Sequence, residues 1–109
     1  MANQYLGQVD EEETAVVQIS TFDARQQAVA PLSLQYRIDD LTNRQEVLTW
    51  TPVSAPLTVN EITITADQNA ILSNRNKIER RQMVIEATDS TGPRKKVVEW
   101  NVRNLQGVS

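Results

Sequence analysis

The chain has 109 residues, a formal net charge of −3 at pH 7, and neither cysteine nor histidine. This length fits one domain that buries its core unaided, while the two missing residue types exclude disulfides and thiolate metal sites and remove the commonest general base and zinc ligand. The negative charge argues against a whole-molecule attraction to nucleic acid or to anionic membranes, so we expect neither of them as a partner. We also expect no cofactor.

The first segment of the chain is strongly acidic. Residues 1–24 carry five acidic residues and no basic one. We predict that residues 1–13 form an acidic arm or a loosely held first strand. Two interpretations stay open, a frayed terminus and an arm that orders against a neighbouring subunit. The acidic run consists of Asp10, Glu11, Glu12 and Glu13.

Apolar and polar residues alternate along much of the chain after this segment, which predicts strands. The clearest run follows Pro31, where Leu32, Leu34, Tyr36 and Ile38 alternate with polar residues. In the last predicted hairpin, one face holds Met83, Ile85 and Ala87, and the return strand places Lys96, Val98, Trp100 and Val102 on one face. The other strands are predicted over residues 14–22, 46–51 and 60–66. Residues 67–79 are predicted to be irregular, with an apolar plug or one helical turn.

The number and spacing of these strands predict the fold class. Six or seven short strands separated by turn signals, without helical periodicity, are typical of an all-β, antiparallel β-sandwich of the immunoglobulin or fibronectin type III kind. We expect the sandwich to cover residues 14–106 and a short tail to occupy residues 107–109.

No pattern in the sequence points to enzyme chemistry. A serine nucleophile needs a base, and no histidine exists to supply it. Asp39 and Asp40 are adjacent, so on a strand their side chains diverge, and we interpret them as turn-capping groups. Asp67 and Asn69, like the run from Asp10 to Glu13, offer oxygen ligands but lack the spacing of a calcium-binding loop, so we expect them on the solvated surface. We therefore predict no catalytic, cofactor-binding or metal-binding residue.

Basic residues form two clusters that the predicted last hairpin places near its opposite ends. This separation argues against one continuous stripe for nucleic acid. We single out the acidic run and the first basic cluster as candidate partner-binding residues, and head-to-tail contact between them is one hypothesis. Pairing along an exposed strand edge is another. The first cluster is Arg75, Lys77, Arg80 and Arg81, and the second is Arg94, Lys95 and Lys96.

Three stretches of the sequence carry a resemblance to a known family. They are Tyr36 to Leu41, Ile62 to Leu72, and Glu79 to Gln82 together with Trp100 to Leu105. Across residues 30–106 the chain is similar to small immunoglobulin-like proteins encoded by tailed bacteriophages. The resemblance implies a virion structural protein, made in the host cytoplasm, that decorates heads, joins heads to tails or extends tail parts. Its implied partners are other virion proteins, among them copies of itself.

The alternative function is a host-surface or carbohydrate-binding module. Such a module needs an exposed aromatic platform, and Trp50 and Trp100 are its candidates. Because both tryptophans lie on predicted strands, we expect them in or near the core. The exposure of the two indoles therefore separates the two hypotheses.

Overall fold

The computed structural model describes the backbone of residues 3–23, 25–90 and 92–105. Within these residues the protein is all-β, with seven strands in two sheets and one short 3-10 turn at Asp67–Asn69. The predicted sandwich is confirmed, while the tail at 107–109 lies outside the described residues. The strands are β1 (Asn3–Asp10), β2 (Ala15–Ser20), β3 (Ser33–Asp40), β4 (Gln45–Pro52), β5 (Val59–Ile64), β6 (Ile78–Asp89) and β7 (Gly92–Arg103).

The two sheets differ in width. The larger sheet has five strands in the order β1-β7-β6-β3-β4, and the smaller one pairs β2 with β5. β1 runs parallel to β7, whereas the other described pairings are antiparallel. The expected purely antiparallel arrangement is therefore corrected at β1. A parallel neighbour needs a long connection, and here the whole domain between β1 and β7 provides it.

The first segment is a strand of the sandwich. Its pairing with β7 shifts register between Tyr5 and Gln8, where Gly7 adopts a φ of 88°. Glycine tolerates this conformation, and the extra residue forms a bulge. Leu6 and Val9 pack against the core. Of the two predicted states, the structure shows a first strand held by β7 and by apolar contacts.

The core lies where the alternating faces of the two sheets meet. On β3 the inward residues Leu34 and Ile38 are buried, as the alternation predicts. Leu32 precedes that strand and is 74% exposed, so its predicted place in the core is wrong. The fully apolar part of the core consists of Val17, Ile19, Leu34, Ile38, Ile62, Ile64, Met83, Ile85, Val98, Trp100 and Val102.

The irregular segment after β5 closes one end of the sandwich. It contains the expected single helical turn, and Ile71 packs against the core as an apolar plug. Leu72 and Ile78 stay exposed. The segment thus supplies Ile71 to the core and leaves Leu72 on the surface, while Ile78 is already the first residue of β6.

The molecule is long and narrow, with extents of 52 × 24 × 20 Å. A strand of 12 residues, such as β6, spans about 40 Å, so the strands must follow the long axis. The loops therefore gather at two ends. We call them the Arg81 end and the hairpin end. The Arg81 end is formed by residues 11–14, 41–44, 65–77 and 104–105, together with Ile78 at the start of β6. The hairpin end is formed by residues 21–32, 53–58 and the tip between β6 and β7, together with Val59 at the start of β5.

Candidate functional site

A buried ionic network occupies the Arg81 end. Arg81 Nε donates to Asp40 Oδ2 over 2.6 Å, and Nη2 donates to Glu79 Oε1 over 2.9 Å. The same guanidinium donates to the backbone carbonyls of Gln68 and Ala70. All three charged side chains are fully buried. Arg81 therefore joins β3, β6 and the irregular segment.

This burial corrects the prediction that Arg81 contacts a partner. Arg81 sits opposite Asp40 on β3 and Trp100 on β7, on the face of β6 that points inward. Its donors are already used by four acceptors within the chain, so it presents no surface to a partner. The alternation that placed Met83 inside extends to Arg81 and could have shown this. Charge alone suggested the surface instead.

Glu79 is the most heavily hydrogen-bonded carboxylate of the network. It accepts from the backbone N–H groups of Leu72 at 2.8 Å and Ser73 at 3.0 Å. The side-chain amides of Asn43 and Asn76 donate to it at 2.7 and 2.9 Å. Burial pushes the pKa of Glu79 upward, but the hydrogen bonds from Leu72, the two asparagines and Arg81 outweigh it and lower the pKa to about 2. Glu79 is thus held ionised.

The two adjacent aspartates diverge as predicted. Asp40 Oδ1 accepts from the backbone N–H of Asn43 over 2.6 Å, so it caps the turn after β3 while its other oxygen binds Arg81. Asp39 points to the outer face and pairs with Arg37 at 2.7 Å. The carboxylates therefore do not converge on a common site.

Asn69 and Trp100 extend the network into the core. The Trp100 indole N–H donates to Asn69 Oδ1 over 2.9 Å, and both side chains are buried. Asn69 Nδ2 in turn donates to the carbonyl of Glu13 over 2.7 Å. The expected surface position of Asn69 is therefore corrected. Among the described residues no buried side-chain polar atom lacks a partner, so the hydrogen bonds of this network are satisfied within the chain.

The acidic run forms a turn fixed against the Arg81 end. Asp10 pairs with Arg103 at 2.7 Å, and Glu11 accepts from the backbone N–H of Leu105 over 2.6 Å. Glu13 accepts from the backbone N–H of Asp10 over 2.8 Å. Glu12 is exposed and has a φ of 62°. We call residues 10–13 the acidic turn.

The predicted basic cluster does not act as one surface. Arg75 and Lys77 are exposed at the Arg81 end, whereas Arg80 points to the outer face and pairs with Glu99. The backbone carbonyl of Lys77 accepts a hydrogen bond from the backbone N–H of Asn104. The next residue, Leu105, donates to Glu11. The acidic turn and Lys77 thus share one end of the molecule. A head-to-tail contact needs its acidic and basic residues at opposite ends of the molecule, so this pair does not meet the requirement of our hypothesis.

A cleft of about 250 Å³ opens at the hairpin end, between the two sheets. Apolar side chains form its floor, and two cationic residues, Arg94 and Lys96, are also part of its lining. Arg94 Nε lies 3.5 Å from Asp89 Oδ2. Lys96 lies on the same, inward-facing side of β7 as Trp100 and Val98. The sequence placed Lys96 on this inward face but did not reveal the cleft. The lining is Ile19, Ser20, Thr21, Phe22, Asp23, Gln26, Val29, Pro31, Ile85, Ala87, Asp89, Arg94 and Lys96.

Exposed apolar side chains gather at the two ends. Nine large ones are exposed among the described residues, and all except Val16 lie at an end. The hairpin end carries Phe22, Leu32, Leu57 and Val59, and the Arg81 end carries Leu41, Leu72, Ile78 and Leu105.

The tryptophans differ in exposure. Trp100 is fully buried, as expected, and offers no platform to a sugar. Trp50 is half-buried, and the guanidinium of Arg37 lies 5.9 Å from the centroid of its ring. That geometry is a cation–π contact. A carbohydrate platform built on tryptophan would therefore depend on Trp50.

Comparisons with known proteins show no family for this chain. No protein-family model matches the chain, and no curated protein matches it. A crystal structure of a sialyltransferase from Photobacterium damsela is similar over 93% of this chain, with 13% identity and a TM-score of 0.45. The chain spans 18% of that protein's length. No helix in the described part of the chain is long and apolar enough to cross a membrane.

Proposed function

We propose that this chain is a non-enzymatic structural protein of a bacteriophage virion that acts by protein–protein contacts made at the two ends of its sandwich. One observation carries the proposal, the gathering of eight exposed large apolar side chains at those ends. The positions open to it are head decoration, head–tail connection and a tail component. The resemblance to phage immunoglobulin-like proteins supports the virion setting.

The ends offer more binding energy than the broad outer face of the larger sheet. Burying apolar surface contributes about 25 cal/mol per Å², whereas exposed ion pairs contribute little. The outer face is covered by such pairs, among them Arg37 with Asp39, Arg80 with Glu99, and Lys95 with Glu86. A partner that covered this face would have to desolvate charges that are already paired.

Edge pairing along β4 is disfavoured by the strand itself. β4 lies at the edge of the larger sheet, and its pairing with β3 shifts register twice. It ends on Pro52, which has no backbone N–H to donate. Bulges and proline are two common ways of protecting an exposed edge. These features favour end contacts over extension of the sheet at β4.

Quantitative mass spectrometry of gradient-purified particles from the encoding phage tests the proposal. We expect the chain at a constant ratio to the major capsid protein through successive purification steps. A host cytoplasmic protein in the same lysate serves as the control and should decline at each step. If the chain declines with that control, the virion role is wrong and the alternative, a host-surface or carbohydrate-binding module, takes its place.

A further inference from the structure

The cleft at the hairpin end combines an apolar floor with a cation that lacks an acidic partner. Ile19, Ile85 and Ala87 line it, and Phe22 at its mouth is 48% exposed. Within the described residues Lys96 makes no ion pair, whereas its neighbour Lys95 lies 3.8 Å from Glu86. A low-dielectric cleft strengthens the field of such a charge. Two carboxylates, Asp23 and Asp89, also line the cleft. Asp23 accepts from backbone N–H groups of its own loop, and Asp89 lies 3.5 Å from Arg94. Lys96 is therefore the cation of the cleft without an ion-pair partner among the described residues, and it suits an acidic group carried beside apolar surface.

The acidic turn at the other end has this chemistry. Its four consecutive acidic residues repel one another, and Glu12 and Glu13 are exposed. Leu105 binds Glu11 through its backbone and leaves its side chain 55% exposed. Negative charge and apolar surface thus lie side by side.

The two surfaces are far enough apart for one copy to use both. Lys96 and Arg103 lie on the same strand, and Arg103 pairs with Asp10 of the acidic turn. Seven residues of strand separate them by about 23 Å. A contact made by one surface therefore leaves the other accessible. Repetition of such a heterologous contact closes a ring or extends a filament, depending on the rotation between copies.

We propose that copies of this chain associate head to tail, with the acidic turn of one copy docked at the Lys96 cleft of the next. This inference rests on the proposed function and names a second copy as the partner at the ends. The complementary charges, both on the same chain, favour a second copy over an unrelated protein. The contact replaces the acidic-turn pairing with Arg80 and Arg81, which the structure does not support.

Cysteine cross-linking tests the contact directly because the chain has no cysteine of its own. One variant carries Thr14→Cys beside the acidic turn, and the other carries Ser20→Cys in the lining of the cleft, so that every charge is kept. Oxidation of a mixture at low salt should give a mixed disulfide dimer. Ser54→Cys is the matched control, since it is exposed at the same end outside the cleft lining.

Charge reversal supplies a second readout. We expect Lys96→Glu in the Ser20→Cys variant to lower the yield of mixed dimer about tenfold, because like charges then meet. Glu12→Lys in the Thr14→Cys variant should do the same, and the two reversed variants together should restore the yield. Lys95→Glu makes the same charge change on the outward face of β7 and should leave the yield unaltered. Thermal unfolding of each variant checks that it is folded.

The outcomes separate this inference from the proposed function. Yields of mixed dimer no higher than with Ser54→Cys overturn self-association, even if the chain is found in particles, and the partner is then another protein. A mixed dimer that resists both charge reversals overturns the docking at Lys96. A dimer with the expected charge dependence supports the inference even if the chain is missing from particles.

Discussion

At the scale of single residues, Arg81 shows a conflict between two sequence signals, its charge and its position in the alternation of inward and outward residues. Its position on the inward face of β6 was visible in the alternation with Met83 and Ile85. Arginine is rarely buried without partners, so its charge suggested a surface site. One partner, Asp40, lies on β3. The other, Glu79, lies on the same face of β6, two residues earlier. Their convergence depends on strand register, which the sequence does not specify.

Replacing Arg81 by Met should destabilise the protein strongly. The change leaves Asp40 and Glu79 buried without their cation, a situation that costs about 3–5 kcal/mol. Urea unfolding followed by fluorescence measures the loss. The matched control is Arg80→Met, next along the strand, which removes the partly exposed pair with Glu99 and should cost less than about 1 kcal/mol. Equal losses for the two variants would mean that the buried network does not stabilise the fold.

Glu79 predicts how stability depends on pH. Its pKa is about 2 in the folded protein, against an ordinary value of 4.5. Because the folded pKa is depressed, its contribution is complete above the ordinary pKa and is lost as the pH falls from 4.5 towards 2. Thermal unfolding between pH 2 and 7 should show the melting temperature falling across this window.

Glu79→Gln provides the control for that prediction. The amide cannot ionise, so this variant should be less stable at pH 7 and should lose less stability between pH 4.5 and 2 than the parent. If parent and variant fall in parallel, other carboxylates cause the acid sensitivity.

At the scale of elements, the alternating strands were predictable and β1 was only partly so. Ile85, Val98 and Trp100 lie inside because their strands alternate without interruption. β1 lacks such alternation, since the bulge at Gly7 moves both Leu6 and Val9 towards the core. Its parallel direction depends on β7, far away in sequence, and no local signal encodes it.

The bulge in β1 can be tested by Gly7→Ala. A Cβ at this position would meet nothing within 4 Å, so the cost comes from the backbone φ of 88°. We expect a loss of about 1–2 kcal/mol in the free energy of unfolding. Gln8→Ala, at the next position and without positive φ, should change stability by less than about 0.5 kcal/mol. A neutral Gly7→Ala would show that the bulge is absent or adaptable.

The position of β1 also changes the consequence of truncation. The sequence predicts a sandwich over residues 14–106, with residues 1–13 outside it as an acidic arm or a loosely held first strand. β1 pairs along β7, and Leu6 and Val9 pack on the core, so removal of this segment exposes a new sheet edge and apolar surface. We expect deletion of residues 1–13 to lower the melting temperature as well as to impair contacts. Circular dichroism during heating measures the melting temperature. An unchanged value would mean that residues 1–13 are an arm that the fold does not need.

At the scale of the whole molecule, the distribution of exposed side chains determines how the protein can make contacts. The long faces carry paired charges, while the ends carry apolar side chains and the cation of Lys96, which makes no ion pair within the described part of the chain. The sequence showed which residues were apolar but not that Phe22, Leu57 and Leu105 would lie at the ends, because this depends on sheet topology. Contact through the ends is therefore a conclusion that required the structure.

Hydroxyl-radical footprinting of the chain within purified phage particles, compared with the free protein, tests the central claim most directly. Phe22, Leu32 and Leu57 at one end and Leu105 at the other should be protected in particles, because their side chains are covered by neighbours. Val16, exposed on the outer face of β2, should label equally in both samples. Protection of Val16 with unchanged labelling at both ends, or the absence of the chain from particles, would contradict a virion protein that binds through its ends.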